Sequence, residues 1–338
     1  MSNYSTNIPA VSSNTTNRNN KRNTRKNNNT RKKEPNCSNV VKKNSKIVKC
    51  YISNKRCNTF KRSDSLDLAS DSGHFGIMHH VCCDDTANDI KDCGYIMKRS
   101  RISPSGFFKC LKSMWNGDKY DCISTTLDDF KNELQLQNKA AQGGVAPNII
   151  KAYIERLSPN PDDLDSSAII IMEKMKMTLN NYCIEFINKQ YKIVHTIYNN
   201  QTNRDKNLKE IRNTVQLVAI KTANDICKII HKLHNLGIYH CDVHSNNIML
   251  SMNNEWKIID FGLSQYLYHV ENNINEENTI NSRDRVGLTD YDGLMDNFYL
   301  PEVKNNNNNN NKSFVNEMRK LRLIFINSFK NEVKRYYR

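Results

Sequence analysis

The periodicity of the apolar residues changes near residue 175, and this change limits the folds that the chain can adopt. Short apolar runs typical of β-strands come first, at residues 74–82, 94–99, 148–157 and 167–175. Beyond them, apolar residues recur every three or four positions from Arg212 to Gly237, as on one face of a helix. Strands followed by helices predict an α+β fold with two lobes, one a small antiparallel sheet and the other mainly helical.

One helix is also predicted inside the sheet lobe. Residues 127–142 carry two aspartates in the first turn and stop before a pair of glycines, so both ends of a helix are marked. The final stretch, residues 314–333, has helical spacing and is expected to pack on the second lobe. A Ser-Pro-Ser-Gly break predicts an irregular insertion over residues 101–125, and the Asn run at residues 305–311 predicts a loop.

The positive charge of the chain is concentrated near its N-terminus. The net charge is +15, and residues 1–62 hold sixteen Lys or Arg and a single acid, Glu34. This segment is rich in Asn, Ser and Thr and too poor in apolar residues to offset the entropy of ordering. We therefore predict a disordered basic tail over residues 1–62 and a folded domain over residues 63–338. The tail could contact nucleic acid or an acidic partner, or only keep the protein in solution.

The cysteines and the apolar segments bound the environment of the protein. The eleven cysteines are scattered without a Cys-x-x-Cys pair, which favours cytosolic thiols over a disulfide framework. The cluster HHVCC at residues 79–83 holds four candidate zinc ligands, but alternation along a strand lets at most two share a metal. No stretch approaches the roughly 20 apolar residues of a membrane span, and the N-terminus lacks a signal core. We expect a soluble protein without membrane contact.

Two polar loops after the long helix concentrate the residues that can carry chemistry. YHCDVHSNNIML, residues 239–250, places Asp242 and Asn247 five residues apart, and KIIDFG, residues 257–262, adds Asp260. Carboxylate and amide oxygens are hard ligands suited to Mg²⁺. An oriented carboxylate can also accept the proton of a hydroxyl group. The spacing is typical of a phosphoryl-transfer site, whereas the alternative is a polar loop enriched in Asn by compositional bias.

These motifs resemble the eukaryotic-like protein kinase superfamily in a divergent form. HCDVHSNN fits the catalytic loop His-x-Asp-x-x-x-x-Asn, and DFG fits the metal-binding turn. The resemblance implies that Asp242 orients the acceptor hydroxyl, that Asn247 and Asp260 bind the metal, and that His240 packs behind the turn. The Asn-rich composition is similar to that of serine/threonine kinases of mimivirus-like giant viruses, although amoebal proteins share this bias.

The resemblance also implies a nucleotide site upstream. GYIMK supplies Lys98 as the phosphate-binding lysine, and FKNELQL supplies Glu133 as its partner on the helix. DSGHFG would form the hairpin that covers the phosphates, although Asp71 replaces its first glycine, and IIIMEKM would lead to the hinge. The implied nucleotide contacts are Gly73, Phe75, Gly76, Lys98, Met172 in the gatekeeper position, Glu173 and Met175. Each residue also has an ordinary structural explanation, but their common order favours the kinase interpretation.

Two substitutions in the catalytic loop depart from the family pattern. Cys241 stands where the family has an arginine that receives a phosphorylated activation segment, so control by that route is doubtful. His244 stands where serine/threonine kinases have a lysine, and it is similar to small-molecule and atypical kinases with an Asp-x-His-x-x-Asn loop. Its imidazole could donate a hydrogen bond to the γ-phosphate, with a charge that depends on pH near neutrality.

The third departure is the length of the second lobe. Only 76 residues follow Gly262, which predicts a shortened, mainly helical C-terminal lobe over residues 177–338 behind an N-terminal lobe over residues 63–176. Within the shortened lobe, Asp290 or Asp292 is expected to open a helix under the catalytic loop.

We expect a bilobal protein-kinase-like fold and ATP-dependent phosphoryl transfer to a hydroxyl group, most consistent with a serine/threonine protein kinase. The expected cofactor is Mg²⁺, with Mn²⁺ as a substitute, and the expected partners are ATP and a protein or small-molecule hydroxyl substrate. An atypical or small-molecule kinase is one alternative. A pseudokinase scaffold with a nucleic-acid-binding tail is another. We expect a location in the cytoplasm or nucleus of a host cell, or in a virion, and no secretion.

Overall fold

A computed structural model describes residues 46–53, 60–62, 77–83, 94–102, 124–156, 166–199, 203–266, 290–301 and 312–337. All of these residues belong to the unit from Pro35 to Arg338, and the other unit, Met1–Glu34, lies outside the described residues. The described elements form a sheet-based first lobe and a mainly helical second lobe, so the expected α+β bilobal fold is confirmed.

The first lobe is built on a seven-stranded sheet in the order β1-β6-β7-β4-β3-β2, with the short β5 beside β4. Its strands are β1 (Lys46–Ser53), β2 (Phe60–Arg62), β3 (Ile77–Cys83), β4 (Tyr95–Ile102), β5 (Ser124–Thr125), β6 (Ile149–Arg156) and β7 (Ser166–Glu173). Neighbouring strands are antiparallel except for the β4–β5 pair. The predicted hairpin of β3 and β4 and the two later strands are therefore confirmed.

The N-terminal boundary of the sheet differs from the prediction. Residues 1–62 were expected to be a disordered tail, and this is wrong for β1 and β2, which pair with β6 and β3. Averaging the composition over 62 residues concealed the stretch KIVKCYIS, which forms a strand paired with β6. Residues 1–45 and 54–59 lie outside the described residues, so the tail prediction stays untested there.

One helix, α1 (Leu127–Gln142), packs on the sheet of the first lobe, with the predicted bounds. Its start is fixed by a capping box, in which Thr126 Oγ1 accepts from the Asp129 N–H at 3.1 Å and Asp129 Oδ2 accepts from the Thr126 N–H at 3.3 Å. Phe130 and Leu134 of this helix are buried against residues of β6 and β7. Helix α1 therefore presents one fixed face to the sheet.

The described part of the second lobe contains three long helices and small sheets. Its elements are β8 (Met175–Thr178), α2 (Leu179–Asn199), α3 (Arg204–Asn235), β9 (Ile238–Tyr239), β10 (Ile248–Ser251), β11 (Trp256–Ile258), β12 (Gln265–Tyr266) and α4 (Lys312–Tyr337). Strands β11, β10 and β8 form one sheet, and β12 pairs with β9. The predicted lobe boundary at residue 176 thus falls inside β8, which belongs with the second lobe through its pairing with β10.

The helices of the second lobe enclose one apolar core. Buried residues of α2, α3 and α4 share it, among them Ile187, Ile226 and Phe329. The rings of Phe298 and Phe329 stack with centroids 4.0 Å apart. Phe298 follows a helical stretch at residues 290–296, so this contact joins that part of the chain to α4. The prediction that the C-terminal helix packs on the second lobe is therefore confirmed.

Two expectations can be compared with the structure, the free state of the cysteines and the lack of a membrane span. Cys183, Cys227 and Cys241 are free, as expected, but Cys50 on β1 is disulfide-bonded, so the expectation of thiols is wrong at this position. Cys-x-x-Cys spacing alone does not decide whether a cysteine forms a disulfide with a partner at another spacing. Within the described ranges, no helix combines the length and the apolar character that a membrane crossing requires.

Candidate active site

A buried carboxylate accepts hydrogen bonds from the backbone of the loop that follows α3. Gly237, with φ +71°, ends the helix in the left-handed region, and the loop follows the short strand β9. Asp290, which has no exposed surface, accepts from the backbone N–H groups of His240 at 3.0 Å and Cys241 at 2.8 Å. Its Oδ2 atom also lies 2.9 Å from His234 Nε2. Of the two acids predicted under the loop, the structure therefore places Asp290 there.

His240 connects this loop to the turn that carries Asp260. Its Nε2–H donates to the Ile259 carbonyl at 2.9 Å, and its ring lies edge-on to Phe261 at 5.1 Å. Burial lowers the pKa of His240 below its ordinary value, against the opposing field of Asp290. The neutral imidazole agrees with Nδ1, a buried atom without a hydrogen-bond partner among the described residues. His240 thus acts as a neutral packing residue, as the resemblance implied.

Three charged residues from distant parts of the chain meet between the lobes. Lys98 Nζ on β4 lies 2.6 Å from Glu133 Oε1 on α1 and 2.7 Å from Asp260 Oδ1. Lys98 and Glu133 are 7% and 6% exposed, so water screens this cluster weakly. Burial alone would lower the pKa of Lys98, but the two carboxylates outweigh burial and raise it. The ammonium therefore stays charged.

The turn at Asp260 is shaped by its backbone. Asp260 has φ +64°, and a 3₁₀ turn over Phe261–Leu263 follows and places Phe261 in the core. The Ile259 N–H donates to the Asn247 carbonyl at 2.9 Å, which joins this turn to the catalytic loop. Burial alone would raise the pKa of Asp260, yet the Lys98 ammonium outweighs it and the pKa is lowered. Asp260 is therefore a carboxylate near neutral pH.

Asp242 and Asn247 form the second half of the site. Asn247 Nδ2 donates to the Asp242 carbonyl at 3.0 Å and to Asp242 Oδ2 at 3.1 Å. The Asp242 side chain is 38% exposed, so an incoming hydroxyl group can reach it. His244 accepts the Asn246 N–H at Nδ1 over 3.3 Å, and its Nε2 atom lies 3.7 Å from Asp242 Oδ2. The structure thus places His244 beside the Asp242 carboxylate.

The donor atoms of the site fit a divalent cation. Because the Asn247 nitrogen is engaged with Asp242, its amide oxygen is the atom left to face a metal. Asp260 uses Oδ1 for Lys98, which leaves Oδ2 for the same purpose. Two hard oxygens and the phosphates of a nucleotide are the usual ligands of Mg²⁺ in such sites. No cluster of three or more His, Cys, Asp or Glu side chains suited to a metal occurs among the described residues.

The hinge segment places Met172 at the end of β7, where it is 7% exposed. The N–H groups of Glu173 and Lys174 donate to the carbonyls of Asn148 at 3.2 Å and Gly94 at 2.8 Å. These two N–H groups are therefore not offered to a purine, and the predicted adenine contacts are restricted to the remaining backbone groups up to Met175. This pairing was invisible in the local sequence because it depends on strand register.

The phosphate-covering hairpin is the part of the predicted site without structural information. Gly73, Phe75 and Gly76 lie outside the described residues, and their roles stay predictions.

Three polar residues that the sequence did not indicate connect α1 to the site. Asn132 Nδ2 donates to the Ser264 carbonyl at 3.2 Å, and Ser264 Oγ donates to the His240 carbonyl at 3.2 Å. Gln137, one turn after Glu133, donates from Nε2 to Met172 Sδ at 3.5 Å. Contacts to backbone atoms 24 and 132 positions away leave no signal in a single sequence.

The chain was compared with models of known protein families. A family model described as "Protein kinase domain" matches residues 109–291, more than half of the 338 residues. The matched range contains Glu133, the loop from His240 to Asn247, and Asp260, whereas Lys98 precedes it.

Three curated proteins match short segments of the chain. The serine/threonine-protein kinase PknB of Mycolicibacterium smegmatis is 38% identical over 58 residues, 17% of this chain and 9% of its own length. The serine/threonine-protein kinase SKS1 of Saccharomyces cerevisiae is 44% identical over 39 residues, 12% of this chain and 8% of its own. The mitogen-activated protein kinase kinase kinase 17 of Arabidopsis thaliana is 41% identical over 46 residues, 14% and 12% respectively. The matches thus span about a tenth of the relatives' length.

Proposed function

The chain belongs to the protein kinase domain family, and from this premise we propose that it transfers the γ-phosphoryl group of ATP to serine or threonine hydroxyls of a protein. The observation that carries the proposal is the cluster in which Lys98 Nζ lies 2.6 Å from Glu133 Oε1 and 2.7 Å from Asp260 Oδ1. A buried ammonium between two carboxylates adds little to stability because desolvation offsets the attraction. Such a cluster in a cleft is more typical of a functional site.

The buried half of the site would bind the nucleotide. Lys98, positioned by Glu133, would contact the α- and β-phosphates, since a charged and fixed ammonium matches their negative charge. Asn247 and Asp260 would hold Mg²⁺, or Mn²⁺ in its place. A bound divalent cation supplies neutralisation of the charge on the phosphates.

The exposed half of the site would act on the acceptor. Asp242 would accept the hydroxyl proton, and the two hydrogen bonds from Asn247 hold its carboxylate and backbone in one orientation. Little covalent work is then left to the protein. Positioning and charge neutralisation would provide most of the rate acceleration.

A transfer assay with radiolabelled ATP tests this proposal. The full chain, with magnesium, is offered a peptide library containing Ser and Thr, a matched library containing Tyr instead, and a panel of sugars and aminoglycosides. We expect label on the Ser and Thr peptides and loss of that label in the Asp242→Asn variant. Label on the small alcohols alone would reject a protein substrate, and no transfer to any acceptor would reject kinase activity.

A small-molecule or atypical kinase is the second candidate, and His244 favours it. This residue lies beside Asp242, where its imidazole Nε2 is 3.7 Å from the carboxylate. The acceptor panel above separates the two candidates.

The basic tail and the location of the protein remain proposals. Its Lys and Arg residues would contact nucleic acid or an acidic partner weakly, and such binding would fall steeply with salt. A pseudokinase scaffold would bind in this way without transferring phosphate. The cytoplasm or nucleus of a host cell, or a virion, and the relation to kinases of mimivirus-like giant viruses rest on composition.

A further inference from the structure

Strand β1 lies beside the helix that carries Glu133. It pairs with β6 at the edge of the sheet, and its Tyr51 and Ile52 side chains pack against the apolar cluster beneath α1. The ring of Tyr51 meets that of Phe130 edge-on, with centroids 5.7 Å apart and planes at 88°. This is a favourable aromatic geometry that adds to the burial of both rings.

An irregularity in β1 directs Tyr51 towards the helix. The register between β1 and β6 shifts between Cys50 and Ile52, so Tyr51 sits at a bulge. A bulge interrupts the alternation of side chains and turns one of them to a new direction. This explains how the consecutive residues Tyr51 and Ile52 both reach the cluster under α1.

The hydroxyl group of Tyr51 adds nothing that the contact needs. Its oxygen is buried and has no hydrogen-bond partner among the described residues. A buried polar group without a partner does not stabilise the fold, so the aromatic ring alone accounts for the interaction. The position thus requires an aromatic ring rather than a tyrosine.

The contact bears on the active site because of where Phe130 lies. Phe130 and Glu133 are three residues apart on α1, so they lie on adjacent positions of one helix surface. A rotation or outward shift of the helix start would move Glu133 away from Lys98, to which it is only 2.6 Å distant. The position of α1 therefore decides whether the Lys98–Glu133 pair exists.

We propose that strand β1 is an internal brace in which Tyr51, packed on Phe130, positions α1 so that Glu133 engages Lys98. This inference rests on the proposed kinase function and adds a positioning residue outside the range that the family model matches. Cys241 carries no guanidinium group that could bind a phosphorylated activation segment. The contact of Tyr51 with Phe130 would position α1 without phosphorylation.

Three variants of the full chain test the brace. Tyr51→Ala removes the ring, Tyr51→Phe keeps the ring without the hydroxyl, and Ile47→Ala perturbs β1 where it packs on the cluster of the other sheet face. For each variant, amide hydrogen exchange of residues 127–142 is measured by mass spectrometry, together with the unfolding temperature and the rate of phosphoryl transfer from ATP.

We expect Tyr51→Ala to speed exchange in α1 about tenfold or more, since a helix with fewer tertiary contacts opens more often. Its transfer rate should fall about 10- to 100-fold, the scale of a small misplacement in an active site. Tyr51→Phe should match the wild type in both measurements. Ile47→Ala should lower the unfolding temperature without a selective change in α1 exchange.

Unchanged exchange of α1 in Tyr51→Ala would overturn the brace, as would equal effects of Ile47→Ala and Tyr51→Ala on exchange and rate. A wild-type protein that transfers no phosphate would refute the proposed function alone. In that case the exchange data still decide whether β1 holds α1.

Discussion

Lys98 and Asp242 have opposite environments although both belong to the same site. Lys98 is 7% exposed and bound by two carboxylates, whereas the Asp242 side chain is 38% exposed and bound by one amide. A residue that binds a nucleotide through its charge benefits from weak solvent screening of that charge. A residue that contacts an acceptor substrate must be exposed to it. The two residues should therefore respond differently to substitution.

Asp242→Asn should lower the transfer rate by about 10²-fold or more, because an amide cannot accept the hydroxyl proton. The Asn side chain keeps an oxygen for the hydrogen bond from Asn247, so the loop geometry should persist. Nucleotide affinity, measured by titration calorimetry, should stay within about threefold of the wild type because Asp242 lies outside the buried cluster. Equal rates for the variant and the wild type would remove Asp242 from the proton-acceptor role.

Lys98→Met should lower the transfer rate by about 10²-fold or more, since the phosphates lose a fixed cation. It should also destabilise the fold by about 3 kcal/mol, because Glu133 is left buried without its partner. The double variant Lys98→Met with Glu133→Gln should recover part of that stability and none of the activity. Urea unfolding and transfer assays check both effects, and a fully active Lys98→Met variant would refute the assignment.

At the level of elements, the sequence signals at both ends of α1 allowed its bounds to be predicted. The capping box at Thr126 and the glycines after Gln142 mark both ends, so the predicted and observed bounds agree. Thr126→Ala should cost about 1 kcal/mol of unfolding free energy, because the Asp129 N–H loses its acceptor. Thr126→Ser, which keeps the hydroxyl, serves as the control in urea unfolding. A Thr126→Ala variant as stable as Thr126→Ser would show that the cap contributes nothing.

Other elements depend on contacts that a single sequence does not display. Strand β1 was missed because its partner, β6, is about 100 residues distant and the surrounding residues 1–62 are rich in Lys, Arg and Asn. Helix α2 was not predicted, although Thr178 precedes it as an N-cap whose Oγ1 accepts from the Asn181 N–H at 3.1 Å. Helix α3 begins at Arg204, earlier than the apolar stripe indicated, since its first turns are mostly polar.

Most of the candidate site could be predicted from the resemblance of its motifs, but residues that bind only backbone atoms could not. Lys98, Glu133 and Asp260 were selected by their resemblance to ordered motifs, and the structure brings them together. Asn132 and Ser264 were not selected, because they bind backbone atoms and any polar side chain of similar length could do so. Their roles in positioning α1 and the Asp260 turn became visible only from three-dimensional contacts.

At the scale of the whole molecule, helix α4 contributes to the core of the second lobe. Helix α4 contributes Phe325 and Phe329 to the core, and Arg212 on α3 binds Glu317 on α4 through two contacts of 2.6 and 2.5 Å. This bidentate pair fixes the approach of the two helices. Helix α4 therefore belongs to the same packed core as α3.

The stability of the molecule should fall as the pH is lowered from about 7.5 to 5.5. Burial holds the pKa of His240 below its ordinary value of 6.5, so the unfolded chain takes up a proton in this range while the folded chain does not. Uptake by the unfolded state alone favours unfolding, and the effect is absent above that range. His240→Gln cannot titrate, so its urea midpoint should depend less on pH than that of the wild type. An unchanged pH slope in this variant would contradict the buried neutral imidazole.

The central claim is that the four residues Lys98, Glu133, Asp260 and Asn247 converge on one nucleotide between the lobes. A crystal structure of the full chain with Mg²⁺ and a non-hydrolysable ATP analogue measures this directly. We expect Asn247 and Asp260 oxygens at about 2.1 Å from the metal and Lys98 in contact with the phosphates while Glu133 still binds it. A nucleotide bound elsewhere, or a metal that neither Asn247 nor Asp260 contacts, would contradict the claim.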